Sequence, residues 1–278
     1  MRSIFIQAGS TTAYYLPANA GEEGGYQAKF EVRISAMEEK VEKALELSES
    51  MMLHTSLEDD KRLKELLSQI KTGLQADLSS SGHLVSVTRA LSYYQPKFRY
   101  SDMTSGIDFY RLADRLESDF ENCREEMKEK LSSLMKMIFT EEKLLVNLTC
   151  KGEAKDAVLT GINALKEKLY RRNKQDKPEE LTCLKQNEGF MDATQVQYVS
   201  AAGNFKKAGY SYTGAFQVLK TILSYEYLWL QIRVKGGAYG ASSAFLRTGD
   251  AYFTSYRDPN LKETLEVYKN DAGLSEKL

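Results

Sequence analysis

The sequence is short of several residue types, and each scarcity closes off a class of function. Two histidines in 278 residues, His54 in MLHTSL and His83 in SSSGHLVSV, stand far apart and read as packed or solvated side chains rather than ligands. Three cysteines, Cys123, Cys150 and Cys183, are an odd number at wide spacing with no C-x-x-C, which excludes a disulfide framework and a structural zinc knuckle and points to buried free thiols in a reducing compartment. Charge of one sign is also missing: a formal net charge of −1 and a pI near 6.3 give no global pull toward nucleic acid or anionic lipid, so neither is expected as a partner. No apolar run approaches the roughly 20 residues of a membrane span, and the opening MRSIFIQ lacks the long apolar stretch and cleavage site of a secretory signal. A cytoplasmic location follows, or an organelle matrix in a eukaryote. There is no glycine-rich phosphate loop, no G-x-S-x-G elbow and no cysteine paired with histidine at a familiar spacing, so a self-contained enzyme of those kinds is not indicated.

What remains is an ordinary globular composition, 42% hydrophobic and 28% charged, long enough for two domains. Met1–Gln7 reads as a strand fragment, followed by a glycine-rich connection at Asn19–Gly25. From Tyr26 to Ile34 apolar and polar residues alternate without a break, the pattern of a half-buried strand. Residues 36–53 carry a helical stripe, and Ser56 is placed to cap a second helix whose stripe runs from Leu63 to Leu78. Tyr93, Tyr94, Phe98 and Tyr100 gather around Pro96 as a loop packed on the domain. Two helices follow Gly106, then a strand over Leu144–Cys150 and a helix carrying Val158, Ile162, Leu165 and Leu169. RRNKQDKPEE, with no apolar side chain but proline, is the best boundary. These readings give an α+β fold in two units, 1–170 and 187–278, joined by a linker at 171–186, each with a mixed or antiparallel sheet covered by helices.

The second unit is organised around Ser211–Tyr239, SYTGAFQVLKTILSYEYLWLQIRVKGGAY. Apolar residues at Phe216, Leu219, Ile222, Leu223, Tyr225, Leu228, Trp229 and Ile232 fall on two overlapping stripes, so a long helix buried round most of its circumference is expected. A strand from Gln195 to Val199 leads into it. Gly236 and Gly237 sit where a chain leaving a helix takes positive φ. Beyond them a period of two opens a strand at about Tyr239, and RTGD turns it into a second one over Ala251–Tyr256. Pro259 ends the sheet, Asn260 with Glu263 resembles a capping pair for a last helix, and the terminal KNDAGLSEKL is expected to fray. Arg233 in the last helical turn and Tyr239 at the strand start can meet across the glycine turn as a donor pair for a peptide carbonyl or its oxyanion. The same two positions also have plain structural readings: the helix dipole favours a cation in the last turn by about 0.3–1 kcal/mol, and a tyrosine at a strand start is common packing.

The run from Asn187 to Asn260, and in it Arg233-Val234-Lys235-Gly236-Gly237-Ala238-Tyr239-Gly240, resembles the C-terminal half of the pitrilysin/insulinase superfamily of zinc metallopeptidases, in the presequence-protease and falcilysin branch, with weaker similarity reaching back to about Tyr26. That resemblance implies a clamshell of four related α+β sandwich domains, of which this chain would hold parts of the third and fourth, both incomplete. It implies zinc bound by His-x-x-Glu-His in an N-terminal half of the same protein, and none here: neither His54 nor His83 has the companions that motif requires. By resemblance, Arg233 and Tyr239 would contact an unfolded peptide beside the metal, and the chain would be inactive alone. The other reading is a non-catalytic scaffold or interaction subunit with the same fold, since fold does not fix function.

Overall fold

A computed structural model describes residues 4–15, 25–171, 181–191, 193 and 195–271. In chain order the elements are β1 (Ile4–Tyr15), β2 (Gly25–Ala36), α1 (Val41–Leu53), α2 (Asp60–Ser80), α3 (Gly82–Ser92), α4 (Pro96–Ser105), α5 (Ile107–Ser118), α6 (Phe120–Ile138), α7 (Lys155–Lys168), β3 (Ser200–Asn204), α8 (Ala215–Ile222) continued by a π-helix (Leu223–Lys235), β4 (Gly240–Phe245), β5 (Asp250–Tyr256) and α9 (Lys262–Asp271). The fold class is α+β. By contact the described residues form two compact units that interleave along the chain, one from 4–13, 27–68 and 115–171, the other from 14–15, 25–26, 69–114 and 181–271. Most of the linker expected at 171–186, the connection at Asn19–Gly25 up to its last residue, and the end of the terminal segment lie outside the described residues.

In the first unit the alternating segment at Tyr26–Ile34 forms β2, which pairs with β1 as a two-stranded sheet, and Phe30 meets Phe139 edge-on at 5.4 Å. Ala44 and Met52 of α1 and Val158 and Leu165 of α7 are buried; the two helices pass so close that a Cβ on Gly161 would lie 2.5 Å from Leu45 Cδ1. The second helix is capped by Asp59 rather than Ser56: the Asp59 carboxylate accepts the Arg62 N–H at 2.9 Å, while Ser56 Oγ accepts from Glu58 N, one turn too early. The strand expected over Leu144–Cys150 does not form. A strand's backbone needs a neighbour to receive it, and none is present there among the described residues; the chain is irregular and Leu145 is 73% exposed. Cysteine burial also differs from expectation: all three thiols are free, but Cys150 is exposed and Cys123 and Cys183 are half-buried.

The second unit is a three-layer sandwich around an antiparallel sheet ordered β3-β5-β4. Strand alternation sends the two sets of side chains to opposite faces. Ser200, Thr254 and Ser242 lie in register on one face, where Ser200 Oγ bonds Thr254 Oγ1 at 2.9 Å and Ser86 of α3 at 2.7 Å. Ala201, Phe253 and Ser243 point the other way. There Val199, Leu228, Ile232, Ala238 and Tyr268 form the core between the sheet, the π-helix and α9. The first strand is Ser200–Asn204, not Gln195–Val199; in the earlier segment only Gln197 makes a bridge, to Asp258, because register with β5 rather than intrinsic preference decides where pairing occurs. The aromatic cluster at 93–100 is not a loop either. Pro96 holds the first position of α4 and keeps Gln95 extended at φ −132°, ψ 124°, as a residue before proline must be.

The central helix differs most from its sequence reading. After Ile222 its hydrogen bonding widens to the i→i+5 pattern, and in this stretch only Leu223, Leu228 and Ile232 are buried, at spacings of five and four. Tyr225 is 71% exposed, and Trp229, Leu230 and Val234 are exposed as well. The helix therefore lies on one face of a thin sheet and is not enclosed. Its end is as expected: Gly237 has φ +81°, its N–H bonds Arg233 O at 3.0 Å, and Ala238 N–H bonds Ile232 O at 3.1 Å. The Arg247–Asp250 turn likewise uses Gly249 at φ +94°. Asn260 does not form the expected capping pair with Glu263. Its amide donates to Gly236 O at the π-helix end, while the buried Asp258 carboxylate takes the Asn260 N–H at 2.9 Å and the Thr264 hydroxyl at 2.7 Å.

Candidate functional site

Arg233 and Tyr239, expected to meet across the glycine turn, do meet. The π-helix delivers Arg233 in its last turn, Gly237 reverses the chain, and Tyr239 enters the sheet with its N–H on Tyr256 O at 3.0 Å. The guanidinium donates to the Tyr239 carbonyl. It also lies between two rings, 4.3 Å from the Trp229 centroid and 5.3 Å from that of Tyr239. Stacking of this kind holds the planar fork in one orientation at low entropy cost. The Tyr239 side chain is 65% exposed, so its phenol faces solvent while its ring is fixed.

The aromatic contacts continue behind this pair. Tyr239 packs edge-on against Tyr256 at 5.7 Å, and Tyr256 against His83 of α3 at 4.8 Å. Tyr198 closes the group at 5.6 Å from Tyr256, its hydroxyl on Ser79 O at 2.7 Å. Its ring occupies the space that a Cβ on Gly82 would take, so no larger residue than glycine fits at the start of α3. His83 is thus a packed histidine: its Nδ1 is buried without a hydrogen-bond partner, and burial lowers its pKa from the ordinary 6.5. Among the described residues neither a carboxylate nor a second imidazole joins it in a ligand set, so His83 does not fit a zinc site. His54, at the end of α1, is exposed. Among the described residues no three His, Cys, Asp or Glu side chains converge as a metal site.

A second cluster had no forecast from the sequence. Arg89 of α3, 7% exposed, contacts Asp102 at 2.5 Å, Asp108 at 3.1 Å and Glu188 at 2.7 Å. Tyr93 also donates to Glu188, and Arg99 pairs with Asp108. Burial pulls the Arg89 pKa down, but the Glu188 bond and the charge and bond of Asp102 outweigh it and hold the guanidinium ionised. Burial likewise lifts the Asp102 carboxyl against the pull of Arg89, and lifts the Tyr93 phenol to about 12. No local signal pointed to it: two residues from both Val87 and Leu91, Arg89 falls on a different side of the helix from them, and only the structure shows all three buried. The cluster fastens the extended segment 181–190 to α3, α4 and α5 of the same unit.

Two family descriptions match the chain. One is "PreP C-terminal domain", over residues 187–278, which includes Arg233 and Tyr239; the other describes a region associated with subfamily C of the M16 peptidases, over residues 7–116. Among similar curated proteins, Protein HypA of Clostridium perfringens is 33% identical over 253 residues, 91% of this chain and 26% of that protein. Presequence protease 1, chloroplastic/mitochondrial, of Arabidopsis thaliana is 25% identical over 268 residues, 94% of this chain and 24% of its own length. The mitochondrial presequence protease of Yarrowia lipolytica is 27% identical over 254 residues, covering 87% and 25%. The chain thus spans about a quarter of the length of the curated relatives it matches. It is metallopeptidase-family sequence with an α+β fold. More narrowly, it belongs to the presequence-protease branch of the pitrilysin-like M16 peptidases and corresponds to that branch's C-terminal region. No described helix is long and apolar enough to cross a membrane.

Proposed function

We propose that this chain is the substrate-contacting, chamber-closing part of a zinc-dependent metalloendopeptidase that degrades short unfolded peptides, acting with an N-terminal half of the same protein that carries the metal. The observation that carries the reading is the Arg233 guanidinium held between the Trp229 and Tyr239 rings beside a solvent-facing phenol. Such a pair offers donors in fixed positions to a peptide carbonyl, and donors that need no rearrangement stabilise the oxyanion more than the ground state. Arg233 would fix the carbonyl through the part of its fork not committed to the Tyr239 main chain, and the Tyr239 hydroxyl would donate to the developing negative charge. Among the described residues no set fits zinc, so on this reading activation of water would fall to the other half. This chain should therefore show no turnover by itself.

The test is cleavage of an unstructured peptide by this chain mixed with the zinc-bearing half, comparing the unaltered sequence with Tyr239→Phe. Restored activity that drops about tenfold or more in kcat/KM, about 1.4 kcal/mol of transition-state stabilisation, in the phenylalanine variant supports the role. Restored activity that is indifferent to the hydroxyl makes Tyr239 packing. Chelator-sensitive cleavage by the purified chain alone would overturn the division of labour.

A further inference from the structure

The exposed end of the π-helix carries more positive charge than its own structure needs. Arg233 and Arg257 lie against the adjoining rings of Tyr239 and Tyr256, with Lys235 in the same last turn of the helix, and among the described residues no carboxylate pairs with any of the three, whereas Arg89 of the same unit has three. Arg233 is spread over Trp229 and Tyr239, Lys235 Nζ reaches only Gln231 Oε1 at 3.3 Å, and the Arg257 guanidinium lies 5.6 Å from the Tyr256 centroid. These cations are not needed to cap the helix: Arg233 O, Ile232 O and Gly236 O already accept from Gly237 N, Ala238 N and the Asn260 amide.

Arg257 is the most informative of the three. Its φ of +48° is the one positive value at a non-glycine among the described residues. An L-residue with a long side chain is strained in that conformation, and glycine or asparagine would hold it at less cost. Residues kept in such a region are over-represented at ligand sites. The backbone therefore does not call for arginine here; the side chain does. Its carbonyl is 3.4 Å from the Tyr239 N–H, so the strained residue and the proposed peptide-contacting tyrosine share one turn of chain.

Building on the function proposed above, we propose that Arg257, with Arg233, forms a carboxylate subsite for the bound peptide, taking either its C-terminal carboxylate or an acidic side chain. Charge-assisted bonds from a stacked guanidinium to a carboxylate are about twice as strong as neutral ones. At an exposed site the preference is also screened by salt. Arg257 is then a specificity residue that favours anionic over neutral peptide at the same backbone position.

The test uses the 278-residue chain and its single tryptophan, Trp229, as a fluorescent reporter beside Arg233. Unstructured peptides are titrated in matched pairs, free acid against C-terminal amide and Glu against Gln at one position. One charged form should bind about tenfold more tightly than its neutral mate at low salt, with the preference shrinking as salt rises. The pair that shows the difference identifies the chain terminus or the side chain as the source. Arg257→Asn should erase the difference while leaving Tm equal or higher, since asparagine tolerates the left-handed backbone. Equal affinity for charged and neutral forms in the unaltered chain, or a preference that survives Arg257→Asn, overturns the subsite. If peptides bind without charge preference and binding is lost in Arg233→Gln, the subsite falls and the function proposed above stands. If no peptide changes Trp229 emission or binds by calorimetry, the subsite falls, while the function proposed above stands or falls with the mixing experiment.

Discussion

Arg89 and Arg233 lie in one unit and are treated in opposite ways. Arg89 is nearly buried and meets three carboxylates; Arg233 is partly exposed, lies between two rings, and has no acidic partner among the described residues. A guanidinium that must leave water needs compensation from charges of its own protein, and once compensated it has little left to offer a ligand. One that is stacked but unpaired keeps its charge available. The comparison separates a side chain that holds the fold from one positioned to do something.

Removing one member of the compensated set should have the largest effect. Arg89→Met leaves Asp102 buried without its main partner and should cost about 3–5 kcal/mol in urea or thermal unfolding; a loss under about 1 kcal/mol would mean water reaches the cluster. Glu188→Gln should cost less, about 1 kcal/mol, because this carboxylate is partly exposed and Asp102 and Asp108 remain on Arg89. Its clearer readout is faster proteolysis within 181–190, the segment that this contact fastens. Arg233→Gln should change stability by no more than about 0.5–1 kcal/mol, the worth of an exposed cation–π contact. Peptide cleavage by the reassembled protein should nonetheless fall by an order of magnitude or more. An Arg233 variant that unfolds like the Arg89 variant would erase the contrast.

The smallest effect concerns His83, which faces Tyr198 and Tyr256 with no charged partner of its own. A histidine whose folded pKa lies below its ordinary 6.5 binds fewer protons folded than unfolded. Stability then rises with pH through the window just below 6.5 and is lost as the pH falls there. Glu188 and Asp108, held low with burial opposed by their basic partners, lose their contribution only below their ordinary 4.5 and 3.8. Measuring Tm from about pH 7.5 to 5.5 should therefore show a shallow acid-side decline in the unaltered chain and a flatter line in His83→Gln. Equal slopes would show that His83 is protonated as easily folded as unfolded.

Much of the second unit was legible because its signals are local. Glycine at the helix end, the period of two after it and the glycine of the RTGD turn each act through the backbone within a few residues, and all three features are present. The meeting of Arg233 and Tyr239 follows from the same turn. Less was legible where an outcome depends on a distant partner. Leu144–Cys150 has strand alternation but no strand beside it, and Ser200–Asn204, built of weak strand formers, is a strand because β5 receives it. Asp59 rather than Ser56 caps α2, a shift of three residues that separates two equally plausible caps.

The sequence alone determined the α+β class, the order of most helices, the glycine-ended helix and the placing of an arginine and a tyrosine on either side of its turn, since each rests on periodicity or on the φ a residue can adopt. Tertiary structure alone decided which face of the central helix is covered, that its hydrogen bonds widen to the π pattern, and that Arg89 gathers carboxylates from Asp102, Asp108 and Glu188 while Arg233 gathers rings. Burial and pairing depend on residues up to 119 positions away, and no local pattern carries that information.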